Sequence, residues 1–364
     1  MKKLTILMAA VALVCFTVPA MAVDWNFYGS ARMATFWESR DYKDGLNDAG
    51  TDDKDSDLLW DFQGNSRVGA NIKADHIKGQ FEFGVDGNEG GDPEVTARRL
   101  YGTWNFGAGS LKVGKDYTPV SQFISGQIGR GDAGLIGFGA PYAGRPGQVA
   151  LTMGGFDVAL ITPKTDEDLE DSAGNTADGD VDTIIPKIEA SWGMSYDAFS
   201  FKIMGGYQYY SIEDVTTLAG GTEDISVTSY IIAGGGKYNF GPAYVGAQIM
   251  YGQNLGNARW SGGDFNSAGW DGDDSTNDVN TLGGILVAGM KVSDMLSFEA
   301  GIGYIQDDPK DADNGFDEKT KAMDVYVQSV IVLAPGVYII PEIGFASFGN
   351  NPEDLDQGSD WYAG

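Results

Sequence analysis

The chain has 364 residues, with 52 acidic against 24 basic side chains and a formal net charge of −28. A charge of this sign argues against nucleic acid as a partner. The 53 glycines, about twice the usual share, argue against a packed soluble domain. The only histidine is His76 and the only cysteine is Cys15, so no Ser/His/acid triad and no Cys/His metal site can be built, which argues against an enzyme.

The first 22 residues have the pattern of a secretory signal peptide. They open with Lys2 and Lys3, continue with an apolar run at 4–18, and end in a small-x-small sequence at Ala22. The apolar run is too short to predict a membrane-spanning helix. Cleavage after Ala22 removes Cys15 and both lysines, which leaves 22 basic and 52 acidic residues and a net charge of −30.

The mature chain opens with a segment in which apolar and polar side chains alternate. Over 24–38, apolar residues such as Trp25 fall on one side and polar residues such as Arg32 on the other. This period of two predicts a β-strand with one apolar and one polar face. An acidic loop follows, and the return strand at 58–74 carries Arg67 on its polar face.

The same rhythm repeats to the end of the chain, where short turns and long polar loops alternate between amphipathic strands. The short turns are predicted at 75–78, 107–110, 154–155, 195–198, 240–242, 293–296 and 334–336. The long loops are predicted at 39–57, 87–95, 117–147, 163–182, 213–224, 253–278, 307–321 and 349–359. Short turns at one end and long loops at the other predict an all-β fold, a transmembrane antiparallel β-barrel.

The predicted barrel must close, because lipid cannot satisfy the backbone groups of an open sheet edge. The pattern contains fifteen strands and the start of another at 360–364, and bacterial barrels have even strand numbers, so sixteen strands are predicted. Pro341 lies within a predicted strand and is expected to cause a local bulge. Aromatic residues near strand ends are expected to form two girdles: Trp25, Trp37, Trp104, Phe106, Trp192, Phe199, Phe298, Tyr338 and Phe348.

The hairpin at 96–119 carries the most specific pattern. Its first strand reads Arg-Leu-Tyr-Gly, with Leu100 on one face and Arg99 and Tyr101 on the other. A Gly-rich tight turn, the strand Leu-Lys-Val-Gly-Lys-Asp-Tyr-Thr-Pro and a loop of about 30 residues follow; such a loop is too long for a simple connector. In this pattern the chain resembles the general porins of Gram-negative outer membranes.

The resemblance implies an outer-membrane homotrimer that contacts lipid and lipopolysaccharide and is inserted by the barrel-assembly machinery. It implies one barrel domain over 23–364, with the loop at about 117–147 folded into the lumen as the constriction. No cofactor is implied. The last strand of related barrels ends in an aromatic residue, which Gly364 does not match, so we expect a final strand truncated by about ten residues.

Basic residues on the polar strand faces are the candidate pore wall. Arg32, Arg67 and Arg99 fall on strands one, two and four, and Arg145 precedes strand six. Porins carry a ladder of basic residues on this wall, opposite acids of the third loop, and opposed fixed charges can select ions. The alternative is that these arginines are solvated lumen residues without a special role.

The loop offers few opposing acids. Asp116 lies at its base, and Asp132 lies within it beside Arg130, in a Gly-rich sequence that lacks the family's Pro-Glu-Phe-Gly-Gly core. We therefore expect a constriction more basic and more apolar than is typical of the family, so cation selectivity does not follow. The acidic outer loops concentrate cations at the mouth, but only within a screening distance of about 8–10 Å.

Two acidic loops, 271–278 and 307–313, offer oxygen ligands for calcium. Neither has the EF-hand register, so no metal site is predicted and both are expected to be solvated. A milder alternative is that divalent cations bridge these loops to phosphates of lipopolysaccharide.

The sequence therefore predicts an outer-membrane channel for passive diffusion of small hydrophilic solutes and ions. Two alternatives stay open: a substrate-selective channel, whose flux would saturate, and a plugged structural or adhesive surface barrel, which would not conduct. A soluble β-sandwich ranks third, because its strands would be shorter and its loops would not alternate so regularly in length.

Overall fold

A computed structural model describes residues 23–43, 53–86, 94–165, 169–171, 174–260, 265–310 and 318–364. The predicted signal peptide at 1–22 lies outside the described residues, as do parts of the predicted long loops. Among the residues that the structure describes, no helix has the length and apolar character needed to cross a membrane.

Strands make up the fold, which confirms the all-β prediction. Within the described ranges, twenty strands share one sheet: β1 (Asp24–Ser30), β2 (Met33–Tyr42), β3 (Asp53–Phe62), β4 (Ser66–Lys73), β5 (Ile77–Asp86), β6 (Glu94–Asn105), β7 (Ser110–Lys115), β8 (Gly147–Met153), β9 (Phe156–Ile161), β12 (Asp180–Asp182), β13 (Lys187–Tyr196), β14 (Phe199–Thr216), β15 (Thr222–Phe240), β16 (Ala243–Gln253), β19 (Val279–Lys291), β20 (Leu296–Pro309), β21 (Thr320–Ala334), β22 (Val337–Ile339), β23 (Glu342–Asn350) and β24 (Asp356–Ala363). Two small pairs stand apart: β10 (Leu169–Glu170) with β11 (Thr176–Ala177), and β17 (Gly269–Trp270) with β18 (Thr276–Asn277).

From β4 to β24, successive strands of this sheet pair antiparallel, with two exceptions. β12 and β13 both pair with β14, and β22 and β23 both pair with β21. The first strands pair in two steps, since β1 pairs with β4 and β2 pairs with β3. On its other side β2 pairs with β24, from Tyr42 opposite Gly358 to Trp37 opposite Ala363. The last strand therefore begins at Asp356, so the start predicted at 360 was wrong.

The two faces of the sheet have opposite characters. On the central strands β19 and β21, Leu286 and Val327 expose about half of their surface, whereas the adjacent residues Ile285 and Tyr326 are buried. The same alternation recurs on the other long strands, so one face is broad, apolar and exposed, while the polar side chains point to the other. A face of this size and character is typical of a surface that meets lipid.

Exposed aromatic residues gather where short turns join the strands. The rings of Trp104 and Phe106 pack at a tilt with their centres 5.6 Å apart, and Phe199 stacks on Phe201 at 5.7 Å. This arrangement agrees with a girdle at the short-turn end. The assignment of Phe348 to a girdle was wrong, because its ring lies 6.2 Å from that of Phe138, on the opposite face.

Two local features depart from a regular hairpin series. The predicted loop 213–224 is mostly strand, since β14 runs to Thr216 and β15 begins at Thr222. Its polar residues led to the prediction of a loop. In the structure these residues extend two long strands, whose alternate apolar residues, such as Ile212 and Ile225, are covered by the small strand pairs. Pro341 interrupts its strand between β22 and β23, where its missing N–H would break the ladder.

The exposed face predicts a position-specific cost of charge. Leu286→Arg places a guanidinium at the middle of β19 on that face, and should lower the free energy of unfolding by about 2–4 kcal/mol in phospholipid. Leu286→Ala removes the same side chain without adding charge and is the matched control. Urea unfolding in vesicles, followed by loss of the heat-modifiable folded band, measures both; equal midpoints would contradict a lipid-facing assignment.

Candidate functional site

The chain between β7 and β8 runs along the polar face of the sheet. Near its start, Lys202 of β14 donates to the carbonyl of Ser121 (3.0 Å). Further on, Gly139, at φ +106°, approaches β19 so closely that a Cβ atom would lie 2.4 Å from the nitrogen of Gly284. Residues 116–146, hereafter the inward loop, therefore pass across several strands rather than leaving the sheet.

Four carboxylates of adjacent strands form a surface, hereafter the acidic wall, on which the inward loop rests: Glu299 of β20, Asp324 of β21, Glu342 of β23 and Asp360 of β24. Glu342 accepts hydrogen bonds from the backbone N–H groups of Ile128 (2.9 Å) and Gly129 (2.8 Å). Glu299 accepts one from the N–H of Gly126 (2.7 Å). The wall thus supplies acceptors to three N–H groups of the loop, of which that of Gly129 is buried and would otherwise need another partner.

Arg130 completes the contact with the acidic wall. Its Nε donates to Asp324 (3.0 Å), and both terminal nitrogens donate to Asp360. The residue has φ +53°, a left-handed conformation that is uncommon outside glycine and turns the side chain towards these carboxylates. The predicted loop residue Arg130 is therefore neutralised by strand acids that the sequence reasoning did not single out.

The predicted basic residues of β4 and β6 come together on the far side of the polar face. Arg67 lies 3.7 Å from Glu82, and the Nε of Arg99 donates to Asp116 (2.7 Å). Lys112 of β7 also donates to Asp116 (2.8 Å). These bases, with Arg32 and Arg98, form what is hereafter the basic wall.

Arg98 is a member of the basic wall that simple alternation assigns to the other face. The β5–β6 register shifts at this point, so that Arg99 pairs with Glu82 and Ala97 with the next residue, Phe83. This bulge turns two consecutive arginines to one face. Arg98 is buried and donates to Glu82 (2.9 Å). The one feature of the sequence that could have indicated this arrangement is the pair of consecutive arginines.

Asp132 and Arg32 join the inward loop to the basic wall. Asp132 lies at the end of the single turn Gly129–Asp132, and its carboxylate is 3.4 Å from the guanidinium of Arg32. Arg32 sits in the break between β1 and β2. Burial raises the pKa of the Asp132 carboxyl above its ordinary value, and the charge of Arg32 opposes that shift. The loop therefore spans from one charged wall to the other.

Arg145 lies where the inward loop returns towards β8, and it shares the ring of Tyr117 with Arg99, whose guanidinium lies 5.3 Å from the centre of that ring. The guanidinium of Arg145 donates to the hydroxyl of Tyr117 (2.9 Å) and stacks over that ring at 5.2 Å. Phe123 and Tyr142 pack around the same ring. The structure thus places Arg145 in an aromatic setting at the end of the strands opposite the short turns, hereafter the long-loop end.

A second segment also folds onto the polar face. Residues 254–260, predicted as part of an outer loop, turn inward so that Trp260 is buried and donates to Glu189 (2.8 Å). The same carboxylate accepts the N–H of Val120, in the inward loop (2.9 Å). The apolar Leu255 and Trp260 in an otherwise polar loop were the available signal, and the sequence reasoning missed them.

The parts of the chain that the structure describes contain no group of three or more His, Cys, Asp or Glu side chains placed to hold a metal ion. The acidic loop 271–278 instead bonds within itself, since Asp271 accepts from the N–H groups of Asp273 (2.9 Å) and Ser275 (3.1 Å). The loop 307–313 lies partly outside the described residues.

Comparison with known families identifies the family of the chain. The profile of the Gram-negative porins matches residues 9–329. The chain belongs to the Gram-negative porin family. It is accordingly an outer-membrane channel protein for small solutes, which confirms the family, the localisation and the general function predicted from the sequence.

Solved structures agree in fold. The outer-membrane channel DcaP of Acinetobacter baumannii has a TM-score of 0.64 at 15% identity, covering 94% of this porin and 96% of that chain. The anion-selective porin of Comamonas acidovorans has a TM-score of 0.60 at 15% identity, covering 94% and 97%. The trimer form of OmpT of Vibrio cholerae has a TM-score of 0.54 at 17% identity, covering 94% and 98%. Among curated proteins, no match was found.

The acidic wall predicts that the porin's inward loop can be released by one substitution. Glu342→Ala leaves the buried N–H groups of Ile128 and Gly129 without an acceptor, at a cost of about 2–5 kcal/mol in the stability of the loop. Hydrogen exchange of these two amides should accelerate by about tenfold or more. Asp294→Ala, which removes an exposed carboxylate from a short turn, is the control and should leave both amides protected. Unchanged protection in Glu342→Ala would contradict the anchoring role of the wall.

Proposed function

We propose that this porin is a closed barrel of sixteen antiparallel strands that forms a water-filled channel for passive diffusion of small hydrophilic solutes and ions. We count three pairs of consecutive strands as one interrupted membrane crossing each: β1 with β2, β3 with β4, and β22 with β23. With β12 and β13 also counted as one, the main sheet has sixteen crossings. The pairing of β2 with β24 supports closure, because a lipid-exposed edge would leave backbone groups unsatisfied.

This proposal rests on the difference in solvent exposure between the side chains of the acidic wall and those of the basic wall. The inward loop covers the acidic wall, where the side chain of Asp324 is 0% and that of Asp360 is 10% exposed. On the basic wall, Arg32 keeps 39% and Arg67 keeps 23% of the side chain exposed. We infer that the permeation path runs between the loop and the basic wall, with the loop as the constriction.

A path along the basic wall implies a preference for anions. Its neighbouring acids are occupied: Glu82 by Arg67 and Arg98, and Asp116 by Arg99 and Lys112. Bases therefore outnumber acids along the path. The acidic outer loops act in the opposite sense, but their field is screened within about 3 Å in 1 M salt, whereas the constriction acts at contact distance. The solved anion-selective porin of similar fold supports the same direction.

The porin's surroundings also belong to this proposal. We infer cleavage after Ala22, one barrel domain over 23–364, and a homotrimer, for which the trimer form of OmpT gives support. The exposed apolar face suits outer-membrane lipid. Contacts with lipopolysaccharide and with the barrel-assembly machinery stay predictions from the family. The family and the fold are those of a channel rather than of an enzyme.

Single-channel recording in a planar bilayer under a tenfold KCl gradient tests the channel. We expect discrete steps, grouped in threes for a trimer, and a reversal potential of the sign that marks chloride over potassium. Arg67→Gln should lower the chloride-to-potassium permeability ratio by a factor of about two to five, because it removes one fixed charge beside the path. Lys291→Gln removes a charge from an exposed short turn and should leave the ratio unchanged.

Two results would contradict parts of this proposal. Silence from a folded, heat-modifiable protein would exclude diffusion and favour the non-conducting surface barrel. A cation-selective reversal potential that is insensitive to Arg67→Gln would place the path away from the basic wall. Flux that saturates with one solute would favour the substrate-selective alternative.

A further inference from the structure

We propose that Trp260 is a positioning residue for the constriction of this porin, and that it sets the size of the largest solute that the channel admits. The proposal rests on the channel function above, because a size limit exists only where solutes pass. It concerns the long-loop end of the polar face, where the segment 254–260 folds inward beside the inward loop.

Trp260 ties together the two arms of the inward loop, namely the stretch that leaves β7 and the stretch that returns to β8. Its backbone carbonyl accepts the N–H of Tyr142, in the returning arm (3.1 Å). Its indole N–H donates to Glu189 (2.8 Å), and the second oxygen of that carboxylate accepts the N–H of Val120, in the leaving arm (2.9 Å). One residue therefore holds both arms, the returning arm directly and the leaving arm through Glu189.

Apolar packing joins the same elements. A single cluster of buried side chains contains residues of the inward loop, of the segment 254–260 and of the strands behind them: Val120, Ala143, Met204, Ile231, Ala233, Met250, Leu255, Ala258, Trp260 and Ile305. Apolar side chains on the polar face of the sheet are stabilised when they are covered, because covering them removes apolar surface from water. Trp260 is the largest member of the cluster, so it contributes most of this cover.

The strands hold Trp260 without help from the inward loop. Gly206 of β14 lies against the indole, and a Cβ atom at that position would overlap the ring. Lys187 of β13 lies 5.5 Å from the centre of the same ring and donates to the carbonyl of Ala258 (2.9 Å). The segment 254–260 is therefore a support fixed to the sheet, against which the arms of the loop rest.

The acidic wall holds a different part of the inward loop. It binds the middle of the loop at 126–130, whereas Trp260 and Glu189 hold the arms at Val120 and Tyr142. Loss of the contacts at the arms would let them move while the middle stays attached. Such movement changes the width of the path along the loop and leaves the pairing of the strands intact.

The test compares the wild type with Trp260→Ala, which removes the indole, and with Trp260→Phe, which keeps an aromatic ring in the same place. The matched control is Trp270→Ala, because Trp270 is equally buried but donates to the carbonyl of Asp273 (3.0 Å), in the small pair of β17 and β18. Liposome swelling with arabinose and with the larger sugar raffinose measures the size limit. Hydrogen exchange of the folded protein reports on the amides of Val120 and Tyr142.

We expect Trp260→Ala to raise the ratio of raffinose to arabinose swelling rates about threefold, because the arms no longer hold the path at one width. Exchange of the amides of Val120 and Tyr142 should accelerate about tenfold. Trp260→Phe should restore the wild-type ratio and the protection of Tyr142, because the ring still packs and the backbone carbonyl is unchanged. Trp270→Ala should leave the sugar ratio and both amides as in the wild type.

The outcomes separate the two proposals. No swelling with either sugar in the wild type would overturn the channel, whereas hydrogen exchange reports on the arms whether or not solutes pass. An unchanged sugar ratio in Trp260→Ala would overturn the positioning role alone, even if the two amides exchange faster. A ratio raised equally in Trp270→Ala would overturn it as well.

Glu189→Gln decides the question if Trp260→Ala yields no folded, heat-modifiable band. The variant keeps Trp260 but offers one amide oxygen, in place of two carboxylate oxygens, to the two N–H groups that Glu189 accepts. Exchange of the Val120 amide about tenfold faster, with a raised sugar ratio, would support the positioning role. Wild-type values of both would overturn it.

Discussion

The structure of this porin depends on one constraint, which is that a polypeptide segment packed against the polar face of the sheet must have its backbone hydrogen bonds satisfied. The acidic wall meets this constraint by presenting carboxylates, which are strong acceptors, to the N–H groups of the inward loop. Glu342 alone accepts two consecutive N–H groups, at Ile128 and Gly129. Regular strands could not supply these bonds, because their own backbone groups are engaged in the sheet. The position of the loop is therefore fixed by side chains of strands that are far away in sequence.

In the proposed channel, the same contacts decide which charge a solute meets. Burying a carboxylate costs several kcal/mol unless it is paired and hydrogen-bonded, so Asp324 and Asp360 are stable inside the lumen only with Arg130 in place. Arg130 cancels one of their two negative charges, and the inward loop covers both side chains, which limits their field in the open space. The arginines of the basic wall are only partly paired, and Arg32 stays accessible. An acidic protein can thus have a basic interior path, because its exposed acids lie elsewhere.

Much of the fold could be predicted from the sequence, because period-two alternation and turn composition are local signals. The alternation placed Arg67 and Arg99 on the polar face of the sheet, where the structure also has them. Asp132 was predicted as a site residue from its position in the long loop. The face on which Arg98 lies could not be predicted, because a single β-bulge shifts the alternation of faces and the order of apolar and polar residues does not show where a bulge lies. The acidic wall was missed because its members come from four separate strands, and a chain with 52 acids offers no reason to single out Glu342.

Glu189 shows that the two segments on the polar face are not independent. This fully buried carboxylate accepts the N–H of Val120 from the inward loop and the indole N–H of Trp260 from the second segment. Displacing either segment would leave a buried carboxylate with one fewer donor, which is costly in a medium of low polarity. The positions of the inward loop and of the segment 254–260 are therefore linked through one side chain.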